Sequence, residues 1–429
     1  MKKKFLVFVL IATVILSAFL VSCGEEESDF EVTEATAAID YSPYAGTSIN
    51  VYNWGEYIAD GSDGTVDVNK EFTRLTGIEV NYTNYTSNED MYSKMKSGGM
   101  SYDVIIPSDY MIEQLIRENL VQKINFENVP NYKYIAEEYK NLPFDPTSEY
   151  SIPYAVGTVG IIYNQKMVDE LKGTEGYTPD SWDILWDKDL DGKILMFGNE
   201  RDAFAIAEAF CGISLNTNDK AELKKAQEKL VEQKSFVKAY VMDEVFNKME
   251  SGSAAVAPYY AGDFFTMYEN NEDLAFAYPK EGFNIFVDSI CIPASSKNKA
   301  AAELYINFLL DPNVALEIAE TICYTCPNTG VTESEDYKAF LADMHDDAEV
   351  IMNDFHTYFE GKDENDFYFR MLGDDARAEM TDLWNSLKIT TTEESGVSSL
   401  LIICVAIVAA LVVLFVIAKI RKKKRESAD

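Results

Sequence analysis

Residues 51–60, with the sequence VYNWGEYIAD, begin the first unit of an α/β fold. The segment opens as a strand, because its first two residues are β-branched and aromatic, and it breaks at the glycine. Trp54, Glu56 and Tyr57 then lie at or beyond the carboxyl end of a strand, where open α/β folds bind ligands. Two ring faces and a carboxylate suit a cation that carries methylene groups. In the alternative interpretation, Trp54 and Tyr57 are core residues of the first βα unit.

Strand and helix patterns alternate along the segment that follows. The patterns are helical over 66–75, strand-like over 78–82, helical over 88–95, strand-like over 102–107 and helical over 111–120. Gly77 follows the first helix as its C-terminal cap. This alternation predicts a parallel sheet with helices on both faces.

Two later apolar stretches predict that the chain crosses between domains. Residues 151–163 are too long for one ordinary strand, and residues 285–292 form a second apolar run. Two crossings predict two α/β lobes with a ligand cleft between them, faced by the aromatic and acidic residues at the strand ends. The expected boundaries are residues 46–155 with 289–330 for lobe 1 and residues 156–288 with 331–388 for lobe 2.

The beginning of the chain predicts export and lipid attachment. Residues 1–23 have a basic start and an apolar stretch that ends in a small residue followed by Cys23, which is typical of a signal peptide. This ending resembles the bacterial lipobox, in which the cysteine is lipidated. The alternative is an ordinary cleavage site next to a chance cysteine. Residues 24–45 are acidic and short of large apolar residues, which predicts a tether to the folded body.

The end of the chain predicts a second membrane attachment. After a short spacer at 389–396, residues 397–418 contain no charge and are long enough to span a bilayer. The basic tail at 419–429 follows at once. Because positive residues remain on the inner side, we expect a cytoplasmic C-terminus and a folded body on the outer face of the cell membrane.

The formal net charge of −35 limits the classes of molecule that the folded body can bind. Nine Lys and Arg residues lie in the two ends, so the body itself is more acidic than the whole chain. Such a surface repels nucleic acid and attracts cations, and we expect no nucleic-acid partner. Solubility alone is the alternative explanation of the charge.

No catalytic, cofactor or metal site is expected. The chain contains no Gly-x-Ser-x-Gly elbow, P-loop or HExxH motif. The CxxC at 323–326 has no second CxxC, and the chain has two histidines, so structural or free thiols are expected. Residues 187–194 resemble the start of a calcium loop, but the twelfth position is Gly198, which predicts a polar turn instead.

Several segments, in register, resemble the spermidine/putrescine-binding proteins of polyamine ABC transporters, which are bacterial extracellular solute-binding proteins. They are YNWGEY at 52–57, EFTRLTGI at 71–78, YTSNEDMYSKM at 85–95, DVIIPSDY at 103–110, PKEG at 279–282, INFLL at 306–310 and YTCPN at 324–328. The resemblance implies a two-lobed periplasmic-binding-protein fold of type II that closes on a polyamine. It also implies delivery to a membrane permease driven by a separate cytoplasmic ATPase.

The resemblance implies a set of ligand-binding positions. The aromatic positions are Trp54, Tyr57, Tyr110, Tyr260, Phe286 and Tyr324, the acidic positions are Glu56, Asp202 and Asp288, and Ser108 is a polar contact. Three of these positions have structural alternatives. Asp288 lies in an apolar strand and needs a partner, which is either a ligand ammonium or a protein cation. Asp202 could serve the N-terminus of a helix, and Ser108 could cap one.

Some residues depart from the family pattern, and these departures do not indicate whether the shorter putrescine or the longer spermidine is preferred. Asn199 stands at what resembles a second acidic position, and Arg370 stands loosely where some members have glutamine. Tyr260 and Phe286 replace tryptophans of spermidine binders, whereas Asp263 belongs to a YAGD segment that resembles a putrescine-preferring pattern. The C-terminal span is also unusual for the family. A membrane-tethered polyamine sensor that is not coupled to transport is therefore the alternative function. An enzyme acting on amines is not expected, because the sequence shows no nucleophile–base set or cofactor motif.

Overall fold

The computed structural model describes residues 30–98, 101–359, 362 and 364–389. The expected signal peptide at 1–23 and the expected span and tail at 397–429 lie outside these residues, as do the start of the tether and nearly all of the spacer. Among the helices of the described ranges, none combines the length and apolar character that crossing a bilayer requires.

The described residues form alternating strands and helices. The strands are β1 Ser48–Trp54, β2 Glu79–Tyr85, β3 Val104–Ile105, β4 Val121–Gln122, β5 Ser151–Asn164, β6 Ile194–Phe197, β7 Val237–Val241, β8 Val256–Tyr260, β9 Leu274–Ala277 and β10 Ile285–Pro293. The α-helices are α1 Glu34–Ala37, α2 Val68–Thr76, α3 Asn88–Ser97, α4 Asp109–Arg117, α5 Gln165–Lys172, α6 Glu200–Phe210, α7 Lys220–Gln233, α8 Glu244–Glu250, α9 Ala261–Asn270, α10 Lys299–Leu309, α11 Pro312–Ile322, α12 Thr329–Thr332, α13 Glu335–Met344, α14 Ala348–Met352 and α15 Asp374–Ile389. Short 3₁₀ helices occupy Ser62–Gly64, Phe126–Asn128, Pro130–Tyr134, Glu137–Tyr139, Trp182–Trp186, Lys188–Leu190, Phe355–Phe359 and Glu364–Phe367.

The chain divides into two compact units. Of the described residues, the first unit holds those up to Gly157 and Phe286–Phe355, and the second holds the remainder. The chain passes from one unit to the other within β5 and within β10, and again after residue 355. Every residue of β5 and β10 is buried, which explains why both read as long apolar runs.

The division differs from the expected lobes in two places. Asp288 was assigned to the end of lobe 2, but the structure places it in the first unit because the crossing occurs at residues 285–286. Residues 331–355 also belong to the first unit rather than to lobe 2. The physical reason is tertiary packing, since the Thr325 hydroxyl donates a hydrogen bond to the Met352 carbonyl and α13 packs on α11. Neither contact is visible in the local pattern of the sequence.

The sheet of the first unit is mixed rather than wholly parallel. Its strand order is β2-β1-β3-β10, and β1 pairs in parallel with both β2 and β3. β10 is antiparallel to β3 and β4. The predicted strand over 102–107 is only two residues long as β3. The expectation of a parallel sheet for the first part of the chain is correct for β1–β3, and β10, which enters from the second unit, joins that sheet in the antiparallel direction.

The second unit contains a similar mixture of strand directions. β6 pairs in parallel with β7 and β8. β5 is antiparallel to β8 and to β9. The strand that carries the chain in from the first unit thus runs against the parallel strands, as β10 does in the first unit.

Helix α2 is bounded by residues that satisfy its terminal backbone groups. Asp67 accepts a 2.9 Å hydrogen bond from the Lys70 N–H, and Gly77 ends the helix with a φ of 71°. The predicted cap at Gly77 is confirmed. The helix leads into β2, which pairs with β1 so that Trp54 lies opposite Tyr85. Two aromatic residues therefore meet at the carboxyl end of these strands.

The second half of the expected tether belongs to the folded body. Thr36 is fully buried, and its hydroxyl donates a 2.5 Å hydrogen bond to Asp311 Oδ2. The Asn131 side chain donates to the Thr36 hydroxyl at 2.9 Å, and the Tyr41 hydroxyl donates to the Thr36 carbonyl at 3.0 Å. The tether prediction is therefore wrong for residues 30–45. Composition misled it, because small polar side chains hold this segment through hydrogen bonds instead of apolar bulk.

Candidate functional site

Asp288 is a buried carboxylate of the first unit. It lies in β10 and is 4% exposed. The Tyr57 hydroxyl donates a hydrogen bond of 2.8 Å to Asp288 Oδ2. Tyr57 follows the break after β1 and is itself buried. The structure thus brings together two residues that the resemblance assigned to ligand binding, and it names Tyr57 as a partner of Asp288.

Aromatic rings surround this pair. The Tyr57 ring centroid lies 5.5 Å from that of Tyr324, and the Tyr324 centroid lies 5.9 Å from that of Phe286. Tyr154 packs 5.6 Å from Tyr57, and its hydroxyl donates a 2.7 Å hydrogen bond to the Tyr57 carbonyl. We call Tyr57, Tyr154, Phe286, Asp288 and Tyr324 the Asp288 cluster. Sequence reasoning did not assign Tyr154 to the site, although this residue lies in the glycine-punctuated stretch at 151–163.

A glycine of β5 makes room for these rings. A Cβ atom on Gly157 would lie 2.3 Å from Phe286 Cζ and 2.8 Å from Tyr324 Cδ1. Both distances are far shorter than a carbon–carbon contact, so any side chain here would displace an aromatic ring. Glycine inside a strand often marks such a close approach, and this was the available signal in the sequence.

The Trp54 side chain packs within the first unit. Its indole Nε1 donates a 2.9 Å hydrogen bond to the Ile106 carbonyl, and its ring packs 4.5 Å from the Tyr85 ring. The side chain is nevertheless only half-buried, so part of the indole faces solvent. Glu56 is exposed and has a φ of 47°, and the structure does not bring it to the Asp288 cluster.

Ser108 and Tyr110 are held together by an asparagine that sequence reasoning missed. The Asn88 amide donates hydrogen bonds of 3.1 Å to the hydroxyls of Ser108 and Tyr110. The Tyr110 hydroxyl donates in turn to Glu89 at 2.9 Å. Ser108 stands at the N-cap position of α4, but its side chain forms no capping hydrogen bond. Its hydroxyl is thus oriented by Asn88 rather than used as a cap.

Asp202 is a buried carboxylate of the second unit. It lies in the first turn of α6 and is 9% exposed. Asp202 Oδ2 accepts hydrogen bonds from the Tyr260 hydroxyl at 2.8 Å and from the Asn199 amide at 2.7 Å. Asn199 caps the helix by accepting from the Asp202 N–H at 2.8 Å. Asp202 therefore lies in the first turn of α6, where the helix dipole favours a negative charge, and its carboxylate is held by two hydrogen bonds.

Burial dominates the electrostatics around Asp202. It raises the pKa of the Asp202 carboxyl, and the Asn199 and Tyr260 hydrogen bonds oppose the rise. Burial and the nearby Asp202 carboxylate raise the pKa of the Tyr260 phenol well above its ordinary value. Asp263 lies half-buried in the first turn of α9 and adds to this rise. We call Asn199, Asp202, Tyr260 and Asp263 the Asp202 cluster.

Arg201 and Arg370 both form hydrogen bonds within the second unit. Arg201 is buried, donates a 2.7 Å hydrogen bond to the Leu215 carbonyl and stacks 4.0 Å above the Phe369 ring. The backbone N–H of Arg370 donates to the Asn216 side chain at 2.8 Å. Arg201 is thus committed to holding its own unit together.

The remaining motifs have structural roles in the described part of the chain. Asp187 pairs with Lys172 and accepts a hydrogen bond from the Asp189 N–H, as expected for a polar turn. Among the residues that the structure describes, Cys211, Cys291, Cys323 and Cys326 form no disulfide bond. Burial raises the pKa of the Cys326 thiol to about 12, which keeps it protonated. Within the described ranges, no group of three or more acidic, histidine or cysteine side chains is placed to hold a metal ion.

Known proteins match most of this chain. The profile of the family described as bacterial extracellular solute-binding protein matches residues 68–344. The spermidine/putrescine-binding periplasmic protein of Salmonella typhimurium is 36% identical over 278 residues, which are 65% of this chain and 76% of that protein.

Solved structures extend the similarity. The spermidine/putrescine ABC transporter substrate-binding protein PotD of Streptococcus pneumoniae superposes with a TM-score of 0.63 at 32% identity, over 80% of this chain and 99% of that one. The Tp0655 lipoprotein of Treponema pallidum superposes with a TM-score of 0.63 at 26% identity, over 79% and 99% of the two chains.

These similarities confirm the resemblance stated from the motifs and the periplasmic-binding-protein-like α/β fold that it implies. The family binds solutes for transporters and does not consist of enzymes. The chain belongs to the bacterial extracellular solute-binding proteins.

Proposed function

We propose that this protein captures a polyamine, putrescine or spermidine, outside the cell and delivers it to the permease of an ABC transporter with a separate cytoplasmic ATPase. The observation that carries the proposal is the buried Asp288 carboxylate, which the Tyr57 hydroxyl orients among aromatic rings. The names of the Salmonella and Streptococcus relatives support the choice of ligand and of partner.

The chemistry of the two clusters suits an alkyl ammonium ligand. A buried carboxylate attracts an ammonium strongly because little water screens the interaction. The faces of tyrosine and phenylalanine rings attract the same cation and cover its methylene groups. A polyamine carries at least two ammonium groups, and each unit of the chain provides a buried aspartate that accepts a hydrogen bond from a tyrosine.

The same residues argue against an amino acid as the ligand. An α-carboxylate needs a cation or several N–H donors to replace its hydration. The Arg201 guanidinium is instead used inside the second unit, where the Leu215 carbonyl and the Phe369 ring engage it. Of the two candidate functions, delivery is favoured over sensing because the Streptococcus relative is named an ABC transporter substrate-binding protein.

We further propose that the protein is attached to the outer face of the cell membrane at both ends. Cys23 would carry a lipid, and residues 397–418 would span the bilayer with the basic tail in the cytoplasm. The Treponema relative is named a lipoprotein, which supports the first attachment. Both segments lie outside the described residues.

Isothermal titration calorimetry of the full-length chain in detergent tests the proposed ligand. We expect saturable binding of putrescine or spermidine and no heat of binding with glutamate, arginine or glycine. Binding of an amino acid together with no response to either polyamine would overturn the proposal. A free amino acid that carries a side-chain amine, such as lysine, separates recognition of an ammonium from recognition of a polyamine.

A further inference from the structure

A cavity in the second unit adjoins the Asp202 carboxylate. Its polar side chains are Asp202 and Asn284, and its walls include Trp182, Leu215 and Phe283. The Trp182 indole Nε1 already donates a 2.9 Å hydrogen bond to the Gly282 carbonyl, so the indole contributes a fixed apolar surface. The cavity therefore combines apolar walls with two groups that accept hydrogen bonds.

Asn284 has no structural use that explains its amide. The residue is 5% exposed, and its Oδ1 accepts no hydrogen bond from any residue in the described part of the chain. Its backbone carbonyl accepts from the Val159 N–H at 3.0 Å, which any residue type could do. A buried amide oxygen without a partner destabilises a fold, whereas an apolar residue of the same size would not. The position therefore has a polar side chain where folding alone favours an apolar one.

Asp202 lines the same cavity, and one of its carboxylate oxygens can accept further hydrogen bonds. Its Oδ2 accepts from Tyr260 and Asn199, whereas its Oδ1 takes part in none of the hydrogen bonds among the described residues. A primary ammonium group has three N–H donors and therefore requires several acceptors when it leaves water. Asp202 Oδ1 and Asn284 Oδ1 are two such acceptors on the wall of one cavity.

We propose that Asn284 Oδ1 accepts a hydrogen bond from the ammonium group whose charge Asp202 neutralises, so that this cavity, which has room for about one water-sized group, is a subsite for a terminal ammonium of the ligand. The inference rests on the proposed function and adds a specificity-determining residue to it. The two oxygens favour a primary amine over an alcohol, which has a single donor.

The substitution Asn284→Leu in the full-length chain tests this subsite. It removes the amide and keeps the number and branching of the side-chain heavy atoms. We expect putrescine and spermidine affinities about tenfold weaker, as for the loss of one hydrogen bond to a charged group. We also expect the ligand-free protein to unfold at the same temperature or a higher one, since a buried polar group is removed. Asn284→Asp keeps an acceptor oxygen and should therefore bind polyamines about tenfold more tightly than Asn284→Leu does.

Gln233→Leu is the matched control. Gln233 is a buried amide of the same unit, with an Oε1 that also lacks a partner among the described residues, but its Nε2 donates to the Leu185 carbonyl away from the cavity. This control should lower the unfolding temperature and leave polyamine affinity unchanged. If Asn284→Leu does not fold, Asn284→Ala is measured in its place with the same expectation.

The outcomes separate the subsite from the proposed function. If wild-type protein binds polyamines and folded Asn284→Leu binds them equally well, the subsite is wrong and the proposed function stands. If the wild-type protein binds no polyamine, the proposed function fails and the subsite fails with it. Weaker binding in Gln233→Leu to the same extent would also overturn the subsite, because any loss of a buried amide would then suffice.

Discussion

The Tyr57 hydroxyl donates a 2.8 Å hydrogen bond to Asp288 Oδ2 across 231 positions of sequence. The first residue follows a strand near the beginning of the body, and the second lies in a strand that returns from the other unit. The second unit repeats the arrangement with the Tyr260 hydroxyl and Asp202 Oδ2, also at 2.8 Å. In both units a tyrosine hydroxyl therefore donates a hydrogen bond to a buried carboxylate.

Tyr57→Phe tests whether this hydrogen bond positions Asp288. The variant keeps the ring and its packing on Tyr324 but removes a hydrogen bond to a buried carboxylate. We expect the free energy of unfolding to fall by about 1–3 kcal/mol in denaturant titrations at neutral pH. Unchanged stability would mean that the hydrogen bond does not hold Asp288. Tyr324→Phe, which keeps the ring contacts, is the matched control for loss of a tyrosine hydroxyl in the same cluster.

Gly157→Ala tests the close packing behind the aromatic rings. The new methyl group would meet Phe286 Cζ at 2.3 Å, so the ring must move. Overpacking of this kind costs about 1–3 kcal/mol of stability. Thermal unfolding should show the loss, and adding Phe286→Leu to the variant should recover part of it. No loss in the single variant would contradict the packing described for these residues.

The fold could be predicted from sequence wherever local patterning and burial agree. Strand β1, helices α2 and α3 and the long apolar strands β5 and β10 follow from periodicity and from runs of apolar residues. Residues 30–45 and 331–355 could not be placed in this way. Their attachment depends on contacts with residues far away in the chain, such as Thr36 with Asp311 and Thr325 with Met352. Local periodicity carries no information about such partners.

The candidate site was predicted unevenly for the same reason. Tyr57, Asp288 and Tyr324 were identified by resemblance, and the structure brings them together. The residues that position them were missed, among them Tyr154, and Asn88 in the neighbouring Ser108 contact. Asparagine and tyrosine in helices and strands give no distinctive pattern, so their role appears only when the chain is folded.

Glu208 should make stability depend on pH. It is fully buried in α6, neither carboxylate oxygen has a hydrogen-bond partner among the described residues, and burial raises its pKa to about 8. The Arg201 guanidinium opposes this rise and Glu222 adds to it. A carboxyl whose pKa is raised on folding contributes stability that is fully present below the unfolded value, near pH 4.5, and is lost as the pH rises through about 8.

Glu208→Gln removes this titration. Denaturant titrations at pH 4, 6 and 8 should show little difference from wild type at pH 4. At pH 8 the variant should be more stable by a few kcal/mol. Glu228→Gln replaces an exposed glutamate of α7 and should show no such pH-dependent difference. If the difference in free energy of unfolding between wild type and Glu208→Gln is the same at all three pH values, Glu208 does not titrate as described.

If the protein is attached to the membrane at both ends, loss of either attachment alone should leave it in the membrane. Cys23→Ala should remain in the membrane fraction through residues 397–418, and truncation after residue 396 should remain there through the lipid on Cys23. Only the protein with both changes should appear in the soluble fraction. Fractionation with immunodetection measures this directly. Full-length Cys23→Ala in the soluble fraction would contradict the C-terminal span.

Asp288→Asn tests the central claim most directly, because it keeps the shape of the side chain and removes its charge. Calorimetric titration of the full-length variant with putrescine and spermidine should show affinity at least tenfold weaker, since losing the partner of a buried ammonium costs roughly 2–5 kcal/mol. Trp54→Ala, which removes one ring face, should cost less, about 1–2 kcal/mol. The unfolding temperature of ligand-free Asp288→Asn should match that of wild type. A folded Asp288→Asn that binds both polyamines as tightly as wild type would contradict the assignment of Asp288 as the ammonium partner.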